Sequence, residues 1–216
     1  DKTGECRFFR WDYTETWEYR IPYIVTNRIC WVTERSDEIL IKNTNVYDQA
    51  RVTRYPVVFI TNKTDRLKVK YSILVNQYSL NEEEFNFWKK VSGVSQNVGN
   101  LYDRTPSSIT SNVRCTSHPE EKVLGYFSVS AVSSRRLFVE DEFLGLWNFV
   151  TYCATDTLSG NLPVDGLNSS YWVIEDNSNE VPPWWVITTF RECADCTTEG
   201  SKIRPPFWED SLKPER

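Results

Sequence analysis

A change of period inside one short stretch constrains this chain more than any other feature. In residues 67–90, LKVKYSILVNQYSLNEEEFNFWKK, the first half alternates. Leu67, Val69, Tyr71, Ile73 and Val75 share one face of an extended chain; Lys68, Lys70, Ser72 and Asn76 share the other, with Leu74 the exception. A half-buried strand has this period of two. The second half is helical. Asn81 is placed to accept from first-turn amides, Glu84 completes a capping box, and Leu80 and Phe85 stand at staple spacing. Phe85, Trp88 and Val91 continue as an apolar stripe, and Gly93 offers a stop. The spacing predicts a central strand feeding one helix near 82–92.

The rest reads as short strands. Residues 7–20, RFFRWDYTETWEYR, put Phe9, Trp11, Tyr13, Trp17 and Tyr19 on one face of a long strand, bent near Glu15. Further strands are predicted at 29–33, 38–41 and 57–61, with polar turns such as Glu34-Arg35-Ser36-Asp37 between them. Residues 92–112 read as a long ordered loop. Strands at 123–131 and 135–139 are joined by Val132-Ser133-Ser134 as a tight hairpin. Beyond 143 short strands fit 146–152, 171–174 and 184–190, linked by a polar 154–170, and the chain ends in a frayed tail. The expected fold is mostly β, an antiparallel sandwich or barrel-like sheets with one inserted helix and an irregular, disulfide-stapled C-terminal part. Residues 1–142 form the β core, and 143–216 a less regular subregion packed on the same domain.

Composition narrows the function classes. The net charge of -5 comes with no Lys/Arg block, which argues against a nucleic-acid partner. No apolar window is long enough to cross a bilayer as a helix. The chain starts at Asp1 and contains no Met, so it reads as a processed product or a piece of a longer protein. The six cysteines, Cys6, Cys30, Cys115, Cys153, Cys193 and Cys196, sit in a Trp-rich β chain and point to disulfides and export. Six cysteines allow fifteen pairings, and spacing selects none; free thiols in a reducing compartment are the alternative.

Catalytic chemistry is thinly provided. His118 is the sole histidine, and its flanks, Thr-Ser-His-Pro-Glu, read as a turn. Glu82-Glu83-Glu84 opposes a helix dipole, and Glu140-Asp141-Glu142 reads as a solvated strand end. No nucleophile elbow, phosphate loop or paired-His motif occurs. Cys193-Ala194-Asp195-Cys196 is the sharpest motif, and three readings compete: a structural disulfide framework, half of a zinc site, or a redox dithiol. Pro182-Pro183-Trp184-Trp185 and Pro205-Pro206-Phe207-Trp208 put rings beside rigid prolines. Trp172, Trp184, Trp185 and Trp208 are therefore the ligand- or partner-contact candidates, against a reading as local core. No catalytic residue, metal or cofactor is expected.

YSILVNQYSLNEEEFNFWKKV at 71–91, VLGYFSVSAVSSRRLFV at 123–139 and CADCTTEGSKIRPPFW at 193–208, in that order and with 97–112 between the first two, carry a family likeness. Together with residues 7–20 and Cys30-Trp31 they resemble the Bacteroidetes lipoprotein family known as domain of unknown function 4249. The resemblance implies an outer-membrane lipoprotein, facing the cell surface or the periplasm. An acylated N-terminal cysteine and an Ig-like domain would lie upstream. It also implies a partner, a SusC-like or other TonB-dependent β-barrel receptor. Asp156-Thr157-Leu158 and Asp210-Ser211-Leu212 resemble the O-glycosylation acceptor of that phylum. The expected function is a non-catalytic accessory or ligand-capture subunit of such a receptor. The alternatives are a stand-alone glycan- or peptide-binding adhesin and a redox or zinc protein built on Cys193 and Cys196. Contact segments are expected at 92–112, 154–170 and 176–186.

Overall fold

The computed structural model describes residues 6–95, 109, 111–121, 123, 125–140, 153–160 and 171–208. It is mostly β, with two antiparallel sheets, one helix and no closed barrel. The larger sheet has the order β2-β1-β4-β5, with β3 pairing on β1. These strands are β1 (Phe8–Arg20), β2 (Ile29–Arg35), β3 (Leu40–Asn43), β4 (Lys70–Leu80) and β5 (Ala131–Glu140). The smaller sheet has the order β6-β8-β7, from β6 (Thr155–Ser159), β7 (Trp172–Asn177) and β8 (Trp184–Thr188). The helix α1 (Glu82–Ser95) follows β4 directly.

Two compact units share the long strands. The first is Asp1–Thr14, Arg35–Phe59 and Leu74–Arg136; the second is Glu15–Glu34, Ile60–Ile73 and Leu137–Arg216. The division cuts β1 where its alternation breaks. Phe9, Trp11 and Tyr13 are buried in turn, then Glu15, Thr16 and Trp17 are buried in succession.

Within the first unit α1 is built as its sequence predicts at the start and differently at the end. The Glu84 amide donates to Asn81 Oδ1 at 2.7 Å, the expected cap. The Glu84 carboxylate does not close a capping box. Instead it accepts from the hydroxyls of Ser128 (2.8 Å) and Ser130 (3.2 Å) and from Trp88 Nε1 (3.3 Å). Three donors on one buried carboxylate explain why it turns inward. Phe87, absent from the predicted stripe, is buried as Phe85 is, against Trp88 and Tyr126, and the helix runs past Gly93 to Ser95.

β4 corrects the half-buried expectation. Lys70, Tyr71, Ser72 and Ile73 are all buried, so this end is covered on both faces. In the second unit Lys70 meets Glu140 at 3.6 Å and lies over the Phe138 and Trp208 rings at 5.2 and 5.6 Å. A lysine is tolerated there because its charge is paired and its stem lies on apolar surface.

Three local expectations fail for identifiable reasons. Residues 57–61 form no strand; they follow Pro56, which lacks a ladder donor, and Phe59 is 86% exposed. Val132-Ser133-Ser134 is no hairpin but the interior of β5, since none of the three suits the positive φ of a two-residue turn. The segment before it is held by side chains: the Asn112 amide donates to Phe127 O and accepts from Phe127 N, at 2.6 and 2.8 Å. β6 arises inside the predicted 154–170 connection, where polar TDTLS serves a strand paired, among the described residues, with β8 alone. The expected strand at 146–152, the frayed tail and most of 92–112 lie outside the described residues.

Cysteines fasten the second unit. Cys30 bonds Cys196, and Cys153 bonds Cys193. Next to the first bridge, Trp31 and Ser201 exchange backbone hydrogen bonds of 2.8 and 3.0 Å. Gly200 lies so close that an added Cβ would meet Trp31 O at 2.6 Å. Cys6 and Cys115 form no disulfide, so bridges join four of the six cysteines.

Candidate functional site: a basic pocket with aromatic walls

A polar strand end and the loop after it build a cavity of about 360 Å³ in the first unit. β3 lies antiparallel on β1, with Lys42 opposite Phe9 and Leu40 opposite Trp11. Past Asn43 the chain turns sharply. Thr44, fully buried, donates its amide and hydroxyl to Arg7 O at 2.8 and 2.9 Å. Asn43 Oδ1 accepts from the Asn45 amide at 2.7 Å, an Asx turn. Arg7 then donates to Tyr47 O at 3.0 Å, fixing where that ring begins. On the far wall Tyr55 stacks on Trp11, centroids 4.8 Å apart, and its hydroxyl donates to Ile41 O.

Three cations line this space: Lys42, Arg51 and Arg54. Among the described residues no carboxylate does. Among the described residues none of the three makes an ion pair. Lys42 Nζ is 6.0 Å from the Tyr47 centroid, and Gln49 and Thr53 add neutral donors. The size suits a small molecule. Guanidinium forks match carboxylate, phosphate or sulfate oxygens, while the tyrosine rings offer flat apolar faces. The site is therefore complementary to an anion carried on a ring or short chain.

Arg54 has φ 56°, a left-handed backbone in a non-glycine residue. That conformation costs about 1–2 kcal/mol, so it marks a residue held in place by its surroundings. Arg54→Gly removes the strain and the guanidinium together. Stability is expected to stay within about 1 kcal/mol of the parent, while affinity for an anionic ligand falls about tenfold, the loss of one exposed charged hydrogen bond. Urea unfolding and equilibrium titration check the two halves separately.

The family described as Domain of unknown function (DUF4249) matches residues 1–136. The chain belongs to this family. The match covers well over half of the chain and includes the whole basic pocket. The 193–208 segment quoted for the likeness lies outside the matched DUF4249 residues. No curated protein and no solved structure matches the chain.

A second cavity of the DUF4249 chain, about 340 Å³, lies in the other unit between 24–27, 172–176 and 194–195. Its acids are already satisfied. Asp195 caps a short 3₁₀ turn, accepting from the Thr197 hydroxyl (2.7 Å), the Thr197 amide (3.1 Å) and Asn27 Nδ2 (2.9 Å). The Thr197 hydroxyl and then its amide hold the Asp195 carboxyl down to about 2, with Asn27 and Arg191 adding to this. The Ser178 amide lowers Asp176 in the same way. A folded pKa below the ordinary 3.8 means the contribution to stability is complete above that value and is lost as pH falls through about 2. Asp195→Asn keeps the cap and removes the charge. Its stability deficit is expected to be largest well above pH 3.8 and to vanish near pH 2; thermal unfolding across that range tests it, and a constant gap sinks the assignment.

The tryptophans named as contact candidates divide. Trp185 and Trp208 are buried, 6% and 5% exposed, so neither offers a free ring face to a ligand. Trp172 and Trp184 are half-buried, and Arg191 lies 5.4 Å over Trp172. Cys193 and Cys196 each bond a distant cysteine, which overturns the redox and zinc readings of that motif. Sequence reasoning missed the basic pocket because its cations are scattered. Arg51-Val52-Thr53-Arg54-Tyr55-Pro56 held the only local signal, paired arginines running into an aromatic-proline step.

Proposed function

We propose that the chain is a non-catalytic, ligand-capture domain of the cell envelope, acting as accessory subunit to a TonB-dependent outer-membrane receptor. One observation carries the capture role: three cations that make no ion pair among the described residues face an aromatic-walled cavity whose described lining holds no carboxylate. Membership of the DUF4249 family supports the envelope setting through the resemblance drawn above, as do two disulfides, which persist in oxidising compartments. The domain holds a small anionic ligand and hands it on; nothing in that role requires bond breaking.

Two measurements test it. Affinity capture of the chain from native outer membranes recovers a β-barrel receptor; a monodisperse monomer recovered alone overturns the accessory role. Glucuronate and glucose, a charged and a neutral sugar of one shape, separate the pocket's chemistry. Glucuronate binds more tightly, weakens with added salt, and loses about 10–100-fold when Arg51 and Arg54 both become Ala. Equal binding of the two sugars overturns the anionic preference.

A further inference from the structure

Four cysteines are spent on disulfides, and the two that remain sit in different company. Cys6 Sγ donates to Phe8 O at 3.2 Å and to Leu80 O at 3.8 Å, a thiol used inside the fold. Cys115, half-buried, lies near the protein's single histidine, His118, which is exposed. One ligand atom each from Cys115, His118 and Glu121 lie within 4.8 Å of one another. We infer that these three residues form a binding site for a zinc-class divalent cation, with a fourth coordination position left open.

Local geometry brings the three together. Pro119 disfavours a helical backbone at His118, and the Glu121 amide donates to His118 O at 2.9 Å, closing a turn that returns Glu121 to the histidine. Ser117 Oγ lies 3.4 Å from Cys115 Sγ and 3.3 Å from His118 Nδ1, so one hydroxyl spans two of the ligands. The spacing is Cys-x2-His-x2-Glu, three residues apart twice.

The donor set selects the ion. Sulfur, imidazole nitrogen and carboxylate oxygen together are borderline in softness, which suits Zn²⁺ better than Ca²⁺ or Mg²⁺, whose ligands are all oxygen. Tetrahedral bonds of zinc to these atoms put ligand atoms about 3.4–3.6 Å apart. Closing from the present spread takes about an ångström of side-chain movement, within the rotamer freedom of exposed residues. Three protein ligands leave a position for water or an incoming anion, as open zinc sites do. The site shares no residue with the basic pocket, so it stands or falls independently of the capture role.

Calorimetric titration of the full chain, disulfides intact and Cys115 reduced, is expected to show one equivalent of Zn²⁺ bound. Cys115→Ser and His118→Ala each lower the affinity by more than the 10–100-fold that loss of an outer-shell partner costs. Glu121→Gln lowers it less, and Cys6→Ser leaves it unchanged. Co²⁺ in place of Zn²⁺ gives a thiolate charge-transfer band that Cys115→Ser abolishes. One readout needs no variant: Zn²⁺ slows alkylation of Cys115 by iodoacetamide in the native protein. Absence of saturable one-equivalent binding, or binding that survives the Cys115→Ser/His118→Ala pair, overturns the proposal. So does a Co²⁺ complex lacking the charge-transfer band.

Discussion

Alanine at both Cys30 and Cys196 is expected to lower the unfolding free energy by about 5 kcal/mol, the largest effect of any change considered for this chain. The bridge joins positions 166 residues apart, so the unfolded chain regains the entropy of a very long loop. Both cysteines have zero exposure and pack in one cluster with Tyr19 and Ile21, so the lost sulfurs also leave unfilled core. Cys153–Cys193 closes only 40 residues, and the same argument gives about 4 kcal/mol for its removal. Urea unfolding of the two double-alanine proteins should order them accordingly. A whole domain has about 5–15 kcal/mol to lose, so the Cys30/Cys196 pair brings it to the margin of folding. A deficit under about 1 kcal/mol for that pair is incompatible with the loop argument.

What the sequence makes legible follows from how strong each local signal is. β1 is plain because five aromatics stand at odd positions, and no helix could bury them on one side. The start of α1 is plain because Asn81 caps it. Partners distant in sequence are invisible by the same logic. Nothing near Glu84 announces Ser128 and Ser130, so its carboxylate reads as a box residue when it is a docking point. β6 is hidden because polar TDTLS shows no apolar face of its own. The basic pocket is hidden because Lys42 and Arg51 meet only after the Asn43–Thr44 turn folds the loop back. His118 reads correctly as part of a turn, yet the turn is what brings Cys115 and Glu121 around it.

Glu15 carries the second large expectation, and it too stands on the aromatic face of β1, where an alternating pattern places it without saying how its charge survives. It is 3% exposed. Tyr71 donates its hydroxyl to Oε1 at 2.6 Å, and Arg66 donates to Oε2 at 3.0 Å while lying 5.1 Å over the Trp17 ring. The other arm of Arg66 reaches Glu34 at 2.8 Å, a half-exposed pair of small value. Glu15→Ala takes the carboxylate acceptor from the Tyr71 hydroxyl and from one guanidinium arm, and the cost is expected to be about 3–5 kcal/mol, as for other broken buried pairs. Tyr71→Phe removes a single donor and costs about 1–3 kcal/mol. The decisive variant replaces both charges. Glu15→Leu with Arg66→Met leaves no buried ion behind, only the half-exposed Glu34, and its stability is expected to return to within about 1–2 kcal/mol of the parent. If the double variant is as unstable as Glu15→Ala, what matters at this position is packing volume and not the charge it shelters.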